Sequence, residues 1–259
     1  MVRLERGKFL GVNNPLFQSA EFLVSDTVYV SPVSEDWHYH ESNHLTLIVN
    51  GGNNEYRTKN CIEAAPGKVL LYEAGLPHRN TDTVYPSRNI NIDIGQSFLD
   101  KYDLTMEPDN YAALSLAVLR IYKESCTSDS NTDNAIQSLL MANLRHKEVD
   151  RANGRSWVSV IRDYIHDKWN EPFSLEELAR EVGLHPVSVS KFFSKTMGCS
   201  LGEYSRAVKI HKSLSLIRGG EMSLTQVALE CGFFDQSHFI RAFKHTTGLN
   251  PGEWKRMQG

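Results

Sequence analysis

A pattern written twice in the last hundred residues constrains this chain more than any other feature. The first copy contains Ser174-Leu175, Ala179, Glu181, Gly183, Phe193, Gly198 and Glu203-Tyr204, and the second contains Ser223-Leu224, Ala228, Glu230, Gly232, Phe243, Gly248 and Glu253-Trp254. The offset is 49 residues up to the turn glycine and 50 beyond it, so the second copy has one extra residue in its turn. A period of this length used only twice is too short for a solenoid. It predicts two similar helical units.

Each copy predicts a helix, a tight turn and a second helix. In the first copy, Ser174 with Glu177 three residues later forms a capping-box pattern at a helix start. Gly183 supplies the conformational freedom for a turn, and Pro186 is tolerated in the first turn of the next helix. This arrangement is the helix-turn-helix signature, whose second helix enters the major groove of DNA. The residues therefore predict two DNA-reading units in one chain.

The second helix of each copy is amphipathic. Helical spacing assigns one face to the core, with Val189, Phe192, Phe193 and Thr196 in the first copy and Phe239, Ala242 and Phe243 in the second. The opposite faces are predicted to meet DNA, and they carry Val187, Ser190 and Lys191 in the first copy and Gln236, Ser237, Ile240, Arg241 and Lys244 in the second.

Groove chemistry assigns roles to these outward side chains. Arg241 suits bidentate pairing with guanine, and Gln236 suits adenine. Lys191 is expected to read guanine or to contact phosphate, and Ser190 and Ser237 bond either bases or backbone. The apolar Val187 and Ile240 suit thymine methyl groups. The alternative is that any of these side chains contacts only phosphate or solvent.

From about residue 157 to 257 the chain resembles the DNA-binding domain of AraC/XylS-family transcription regulators. The residues that carry the resemblance are Leu229-Glu230-Cys231-Gly232-Phe233, Gln236-Ser237-His238-Phe239, Arg241-Ala242-Phe243-Lys244, Gly248, Pro251 and Trp254. The resemblance implies seven helices, with the two recognition helices joined by a long helix, here about residues 201–217 and ended by Gly219-Gly220. It also implies transcription activation, double-stranded DNA as a partner and contact with RNA polymerase.

Charge and cysteine usage agree with that interpretation. Residues 1–150 carry 13 lysines and arginines against 20 acidic residues, whereas residues 151–259 carry 15 against 11. The basic part is the one expected to meet phosphates. The four scattered cysteines have no CxxC spacing, and no apolar stretch is long enough for a membrane span, so we expect a cytoplasmic protein.

Residues 1–100 predict a small β-barrel or sandwich. Short β-rich runs occur at residues 22–30, 45–49, 69–72 and 90–94, and residues 50–54 (Asn-Gly-Gly-Asn-Asn) predict a hairpin turn. Two helices are expected at about residues 109–124 and 134–148, and their apolar stripes either cover the barrel or form a homodimer contact. The fold class is thus α+β, with residues 1–150 as a sensing domain, 151–156 as a linker and 157–259 as the DNA-binding domain.

Histidine placement marks the β region. Only four of the ten histidines precede residue 146, namely His38, His40, His44 and His78, and their spacing resembles the two sequence motifs of a cupin barrel. The chain departs from those motifs at three positions, where His44 stands for Glu, Glu73 for Pro and Asp82 for Asn.

The cupin resemblance implies that His38, His40, His44 and His78 hold a divalent metal, and imidazole is a good ligand for Zn, Fe, Ni or Cu. The alternative is an effector pocket without metal, lined by the same histidines with Trp37 and Tyr72. Ordinary barrel packing of these aromatic rings is a third interpretation.

Together these features predict a regulator that binds specific DNA sequences under the control of a small ligand or metal, and not an enzyme. Two alternatives stay open from the sequence. One is a metal-dependent cupin enzyme fused to a DNA-targeting module. The sequence argues against this alternative, because no catalytic base or nucleophile motif stands out. The other is a DNA-binding protein with a purely structural barrel. The effector, the operator sequence and the oligomeric state do not follow from the sequence.

Overall fold

A computed structural model describes residues 1–108, 110–147, 157–218 and 222–258. The chain folds into two compact units, which are a sheet unit, Met1–Val149 with Thr247–Gly259, and a helical unit, Asp150–Thr246. The α+β class is confirmed. The predicted linker at residues 151–156 and the predicted helix end at Gly219-Gly220 lie outside the described residues. Within the described ranges, no helix is long and apolar enough to cross a membrane.

The sheet unit is built on one curled, eight-stranded sheet. Its strands are β1 (Val2–Leu4), β2 (Val12–Gln18), β3 (Phe22–Tyr29), β4 (His38–His40), β5 (Asn43–Arg57), β6 (Cys61–Ala64), β7 (Val69–Tyr72) and β8 (His78–Ile94). The order β1-β4-β8-β3-β2 forms one path, and β5 pairs with β6, β7 and β8. The long strands β5 and β8 thus connect both parts of the sheet. Their apolar side chains, such as Leu45 and Ile92, are fully buried.

The predicted hairpin turn at residues 50–54 is wrong, because β5 continues through it as a bulged strand. The β5–β8 register shifts between Ile48 and Asn54, and Gly51 and Gly52 have positive φ angles of 72° and 117°. A Cβ at Gly52 would clash with the carbonyl oxygen of Ala64. The two glycines therefore bend a continuous strand against its neighbours, which is the role of a β-bulge.

Helices and a small second sheet follow the curled sheet. They are α1 (Gln96–Lys101), β9 (Leu104–Pro108), α2 (Tyr111–Thr127), α3 (Thr132–Met141) and β10 (Leu144–His146). The predicted helix at 134–148 is wrong beyond Met141, because the chain turns into β10 and pairs antiparallel with β9. The predicted stripes of both helices are largely buried within the chain, including Leu114, Val118, Ile136 and Leu140, while Tyr111 is exposed.

The remaining helices follow the order of the sequence repeat, with a long helix between the two copies. They are α4 (Trp157–Asp167), α5 (Leu175–Val182), α6 (Pro186–Met197), α7 (Leu201–Arg218), α8 (Leu224–Glu230), α9 (Gln236–Thr247) and α10 (Pro251–Met257). Around the first copy, Ile161, Leu178, Phe193 and Val208 join α4, α5, α6 and α7 in one core.

The last helix, α10, belongs to the sheet unit. Arg88 of β8 donates to the carbonyl oxygen of Met257 at 3.1 Å, and Lys123 of α2 pairs with Glu253 at 3.1 Å. Trp254, between these two contacts, is fully buried. Both ends of α10 are thus held by charged side chains of the sheet unit.

Candidate functional site

The first recognition helix, α6, is held in place by local features on both sides of its turn. The Ser174 capping box is present at the start of α5, as predicted, and Gly183 adopts the left-handed conformation with φ 66°. His185 caps α6 by accepting a hydrogen bond from the backbone nitrogen of Val187. Val189 and Phe193 are fully buried, so the opposite face of α6 meets solvent.

The predicted reading residues of α6 lie on that solvent face. Val187 is 65% exposed, which is unusual for valine, and Ser190 and Lys191 are exposed beside it. Two residues predicted for the core are not there. Phe192 is 48% exposed and Thr196 is also exposed, because the buried face of α6 is narrow and centred on Val189 and Phe193.

The second recognition helix, α9, repeats this construction. Ser223 and Gln226 form the second capping box at the start of α8, and Gly232 has φ 66°. A Cβ at Gly232 would come within 2.6 Å of the carbonyl oxygen of Asn170 and 2.9 Å of the Lys209 ammonium, so this turn requires glycine. Phe239 and Phe243 are fully buried.

Five predicted reading residues lie along α9. Ser237, Arg241 and Lys244 are exposed, while Gln236 and Ile240 are half-buried. The Gln236 carbonyl oxygen accepts a hydrogen bond from the Thr225 hydroxyl at 2.6 Å. That bond orients the Gln236 side chain, and the amide NH2 group and the second lone pair of the oxygen remain for the donor and acceptor that adenine recognition requires.

In the sheet unit, the four predicted histidines come together on β4, β5 and β8. His38 and His40 alternate on β4, His38 pairs in register with His78, and His44 lies on β5. The ring centroids of His38 and His78 are 4.3 Å apart, and those of His40 and His44 are also 4.3 Å apart. All four side chains are buried.

Three of these histidines converge more closely than the fourth. One ring nitrogen each from His38, His40 and His78 lies within 4.8 Å of the others. His44 adjoins His40 but is outside this group, and its ring stacks on Tyr72 with centroids 4.3 Å apart. The structure therefore assembles a three-histidine group, with His44 and Tyr72 beside it.

Backbone carbonyls fix the tautomer of these rings. Nδ1 of His38, His44 and His78 lies 3.0, 3.3 and 3.1 Å from the carbonyl oxygen two residues earlier in the chain. Since a carbonyl only accepts, Nδ1 is the protonated nitrogen and Nε2 keeps its lone pair. Metal-binding histidines in proteins are oriented in this way by their second ring nitrogen.

Burial keeps the four rings neutral. Desolvation lowers the pKa of His44 to about 3 and that of His78 to about 4, and it lowers the pKa of His38 and of His40 as well. Repulsion between the rings lowers the pKa of His40 further. Neutral imidazoles are the form that ligates metal.

The histidines line a cavity of about 30 Å³. This volume is small beside the roughly 300–1,000 Å³ of sites for organic ligands. Its other walls are largely polar and are formed by Phe9, Leu10, Tyr29, Thr46, Ile48, Asn53, Leu70, Tyr72, Asn80, Asn89 and Asn91. The side-chain oxygens of Asn53, Asn80 and Asn89 are buried and have no hydrogen-bond partner.

Of the two aromatic residues predicted to line the cavity, the structure places only Tyr72 there. Trp37 is half-buried outside it, and its ring faces the guanidinium of Arg79 at 5.6 Å. Sequence patterns missed Glu55, which is fully buried and bonds to the Tyr72 hydroxyl and, at 2.6 Å, to Arg57. Its position after the bulge in β5 hid it, because strand alternation is interrupted there.

Comparison with known proteins concerns mainly the helical part of the chain. A helix-turn-helix domain family model matches residues 178–257. The HTH-type transcriptional regulators YijO and YpdC of Escherichia coli are 30% and 32% identical over 98 and 100 residues, and each alignment covers 38% of this chain and 35% of the relative. The probable transcriptional regulator LumQ of Photobacterium leiognathi is 22% identical over 233 residues, covering 86% of this chain and 92% of LumQ. The chain thus spans about a third of the length of the first two relatives.

Proposed function

We propose that this chain, whose C-terminal region is a helix-turn-helix domain of the AraC type, is a transcription regulator that binds specific DNA sequences. The observation that carries the proposal is the pair of recognition helices, each anchored by buried apolar side chains (Val189 and Phe193 in α6, Phe239 and Phe243 in α9) and each presenting polar or cationic side chains to solvent. Helix α7, which joins the two copies, has 18 residues and is therefore about 27 Å long. Helix α7 therefore sets the separation of the two recognition helices, which must be about one DNA turn of about 34 Å for binding in two successive major grooves.

Specific roles follow from the exposed side chains. Arg241 pairs with guanine, and Lys191 pairs with guanine or a phosphate. Gln236 donates from its amide to an acceptor on a base edge, and Ser190, Ser237 and Lys244 add bonds to bases or backbone. Val187 and Ile240 contact thymine methyl groups.

In vitro selection from random DNA, followed by gel-shift titration of the selected site, tests this proposal. Arg241→Ala is expected to weaken binding to the selected site by about 5- to 150-fold, the equivalent of one lost base contact, and to relax preference at one position. Lys101→Ala, an exposed cation of the sheet unit, is the control and should change neither. If Arg241→Ala weakens the affinity for every DNA sequence by the same factor, Arg241 contacts the DNA backbone and not a base. Failure to select any sequence would refute specific DNA binding.

The second part of the proposal is that the sheet unit holds a divalent transition metal at His38, His40 and His78. The small cavity, the convergent ring nitrogens and the fixed tautomers support a metal over an organic effector. Zn, Fe, Ni and Cu all accept such neutral nitrogen donors. A bound metal would join β4 to β8 by direct coordination and would add positive charge to a neutral interior. We propose that this change in the sheet unit controls DNA affinity.

Metal content is measured by elemental mass spectrometry on untagged protein after incubation with Zn, Fe, Ni or Cu salts. One metal per chain is expected, and it should be absent from a variant with His40→Ala and His78→Ala. His146→Ala, which removes an exposed histidine, is the matched control and should retain the metal. No metal in the unmodified protein would end the metal proposal while leaving DNA binding intact.

The family also suggests a homodimer and contact with RNA polymerase. A cytoplasmic location and the division into residues 1–150, 151–156 and 157–259 come from sequence patterns, and the structure groups Thr247–Gly259 of the last part with the sheet unit. Sedimentation with and without DNA tests the dimer, since a chain that stays monomeric in both conditions contradicts it.

A further inference from the structure

The extra residue in the second copy of the repeat is identified by the helix caps. In the first copy, Gly183 is followed by Leu184 and then by His185, whose side chain caps α6. In the second copy, Gly232 is followed by Phe233, and Asp235 takes the capping place, because its carboxylate accepts a hydrogen bond from the backbone nitrogen of His238 at 2.6 Å. Phe234 is therefore the inserted residue.

The insertion places an aromatic ring in solvent. Phe234 is 88% exposed, the largest exposure of any large hydrophobic side chain in the described part of the chain. Its neighbour Phe233 is only 5% exposed and packs edge-to-face against Phe239 with ring centroids 5.4 Å apart. Phe233 thus fills the core beside the turn, and folding of the helical unit leaves Phe234 without a packing role.

The turn holds Phe234 in a defined position. The backbone nitrogens of Gly232 and Phe233 donate to Leu229 and Ala228 at 2.9 Å each, and Gly232 lies against Asn170 and Lys209. The exposed ring is therefore presented by an ordered backbone directly before Gln236 and Ser237. The N-terminal residues of a recognition helix are the ones that enter the major groove and contact base edges.

We propose that Phe234 is a specificity-determining residue that reads a thymine by packing on its C5-methyl group, next to the bases contacted by Gln236 and Ser237. Phenylalanine against this methyl group is an established kind of direct readout, and it distinguishes thymine from every other DNA base. The inference rests on the proposed DNA-binding function and adds a base preference to it. It gives the DNA bases under α9 a contact from an inserted residue that has no counterpart in the turn of the first copy.

Uracil scanning measures this contact without changing any hydrogen bond. Each thymine of the selected site is replaced in turn by uracil, which removes only the methyl group, and affinities are measured for the unmodified protein, Phe234→Ala and Phe192→Ala. Besides any thymine read by Ile240, we expect one thymine under the start of α9 whose replacement by uracil weakens binding of the unmodified protein about four-fold, the effect of one buried methyl group. Phe234→Ala should bind the thymine site about as weakly as the unmodified protein binds the uracil site. Replacement of that thymine by uracil should not weaken its binding further.

Phe192→Ala is the matched control, because it removes an exposed phenylalanine from the flank of α6 and should keep the unmodified uracil profile. A Phe234→Ala variant with an unchanged profile would overturn the inference, and so would a loss of equal size on all sequences. Equal melting temperatures of the two variants establish that any difference arises in the complex. Failure to select any site with the unmodified protein would instead refute the DNA-binding proposal, and the inference with it.

Discussion

The two units of the protein keep their chemically active side chains in opposite environments. In the helical unit most of the proposed reading residues lie on exposed helix faces over an apolar core. In the sheet unit His38, His40, His44, Glu55 and His78 are buried inside the curled sheet. An exposed polar residue costs the fold little, whereas a buried one must find a partner inside. The helical unit is therefore expected to tolerate changes at its reading residues, while the sheet unit is expected to be sensitive at its polar interior.

The largest test of this contrast is Arg88→Leu. Arg88 forms a bidentate pair with the buried carboxylate of Asp26 and also holds the C-terminal carbonyl of α10 at Met257. Removing it leaves Asp26 without its cation, which typically costs about 3–5 kcal/mol for a buried pair. Urea unfolding followed by circular dichroism should show this loss.

Lys147→Leu is the comparison for Arg88. Lys147 pairs with Asp100 at 3.2 Å, but both side chains are largely exposed. An exposed pair contributes less than about 1 kcal/mol. Similar losses of unfolding free energy in the two variants would contradict the contrast between buried and exposed charges.

Replacing one glycine in each unit by alanine compares how well the backbones of the two units tolerate a Cβ atom. Gly52→Ala in the β5 bulge places a Cβ against the carbonyl of Ala64 at φ 117°, whereas Gly183→Ala in the first helix turn meets open space at φ 66°. The Gly183 variant is expected to lose about 1 kcal/mol from left-handed strain alone. The Gly52 variant should lose about 2 kcal/mol more, because overpacking adds to strain. Equal changes in unfolding midpoint would show that the bulge relaxes freely.

This bulge also shows where sequence patterns fail. Residues 50–54 carry strong hairpin chemistry, yet strand pairing with β8 and β6 outweighs it, and the same irregularity conceals Glu55 after the bulge. The β10 strand escapes sequence patterns for a related reason, since its pairing with β9 joins residues about 40 positions apart. Local signals cannot encode such contacts.

Local signals succeed in the helical unit because its elements are defined within a few residues. Both capping boxes are present, and the long helix predicted at 201–217 is Leu201–Arg218. The exception is Phe192, whose apolar character fits the core stripe although only Val189 and Phe193 of that stripe are fully buried. In the sheet unit, the motif spacing locates the histidines, but it cannot separate His44 from the converging three.

The histidine interior makes sheet-unit stability depend on pH. His44 has a pKa of about 3 when folded and about 6.5 when unfolded, so between these values only the unfolded chain takes up a proton there. Stability should therefore fall as pH decreases from about 6.5 toward 3, by about 1.4 kcal/mol per pH unit from this residue. Unfolding free energies of metal-free protein are measured by urea titration at several pH values. The slope of unfolding free energy against pH should be smaller by about that amount in His44→Gln.

The His44→Gln variant decides whether burial of this ring carries the pH dependence. If the slope of unfolding free energy against pH is the same in His44→Gln and in the unmodified protein, the buried His44 ring accepts a proton without a cost in stability. That result would contradict the electrostatic difference between the buried and exposed environments.

The smallest expected effect tests whether α10, which packs on the sheet unit, also stabilises it. Lys123 of α2 and Glu253 of α10 form a half-exposed pair at 3.1 Å, whose coupling free energy is expected to be about 0.5 kcal/mol. Lys123→Ala, Glu253→Ala and the double variant form a cycle read from urea unfolding of the sheet-rich signal. Non-zero coupling in that signal means that α10 unfolds together with the sheet, although it lies within the region matched by the helix-turn-helix family. Zero coupling means that this pair contributes nothing to holding α10 on the sheet, so that α10 is held there by its other contacts, such as the buried Trp254.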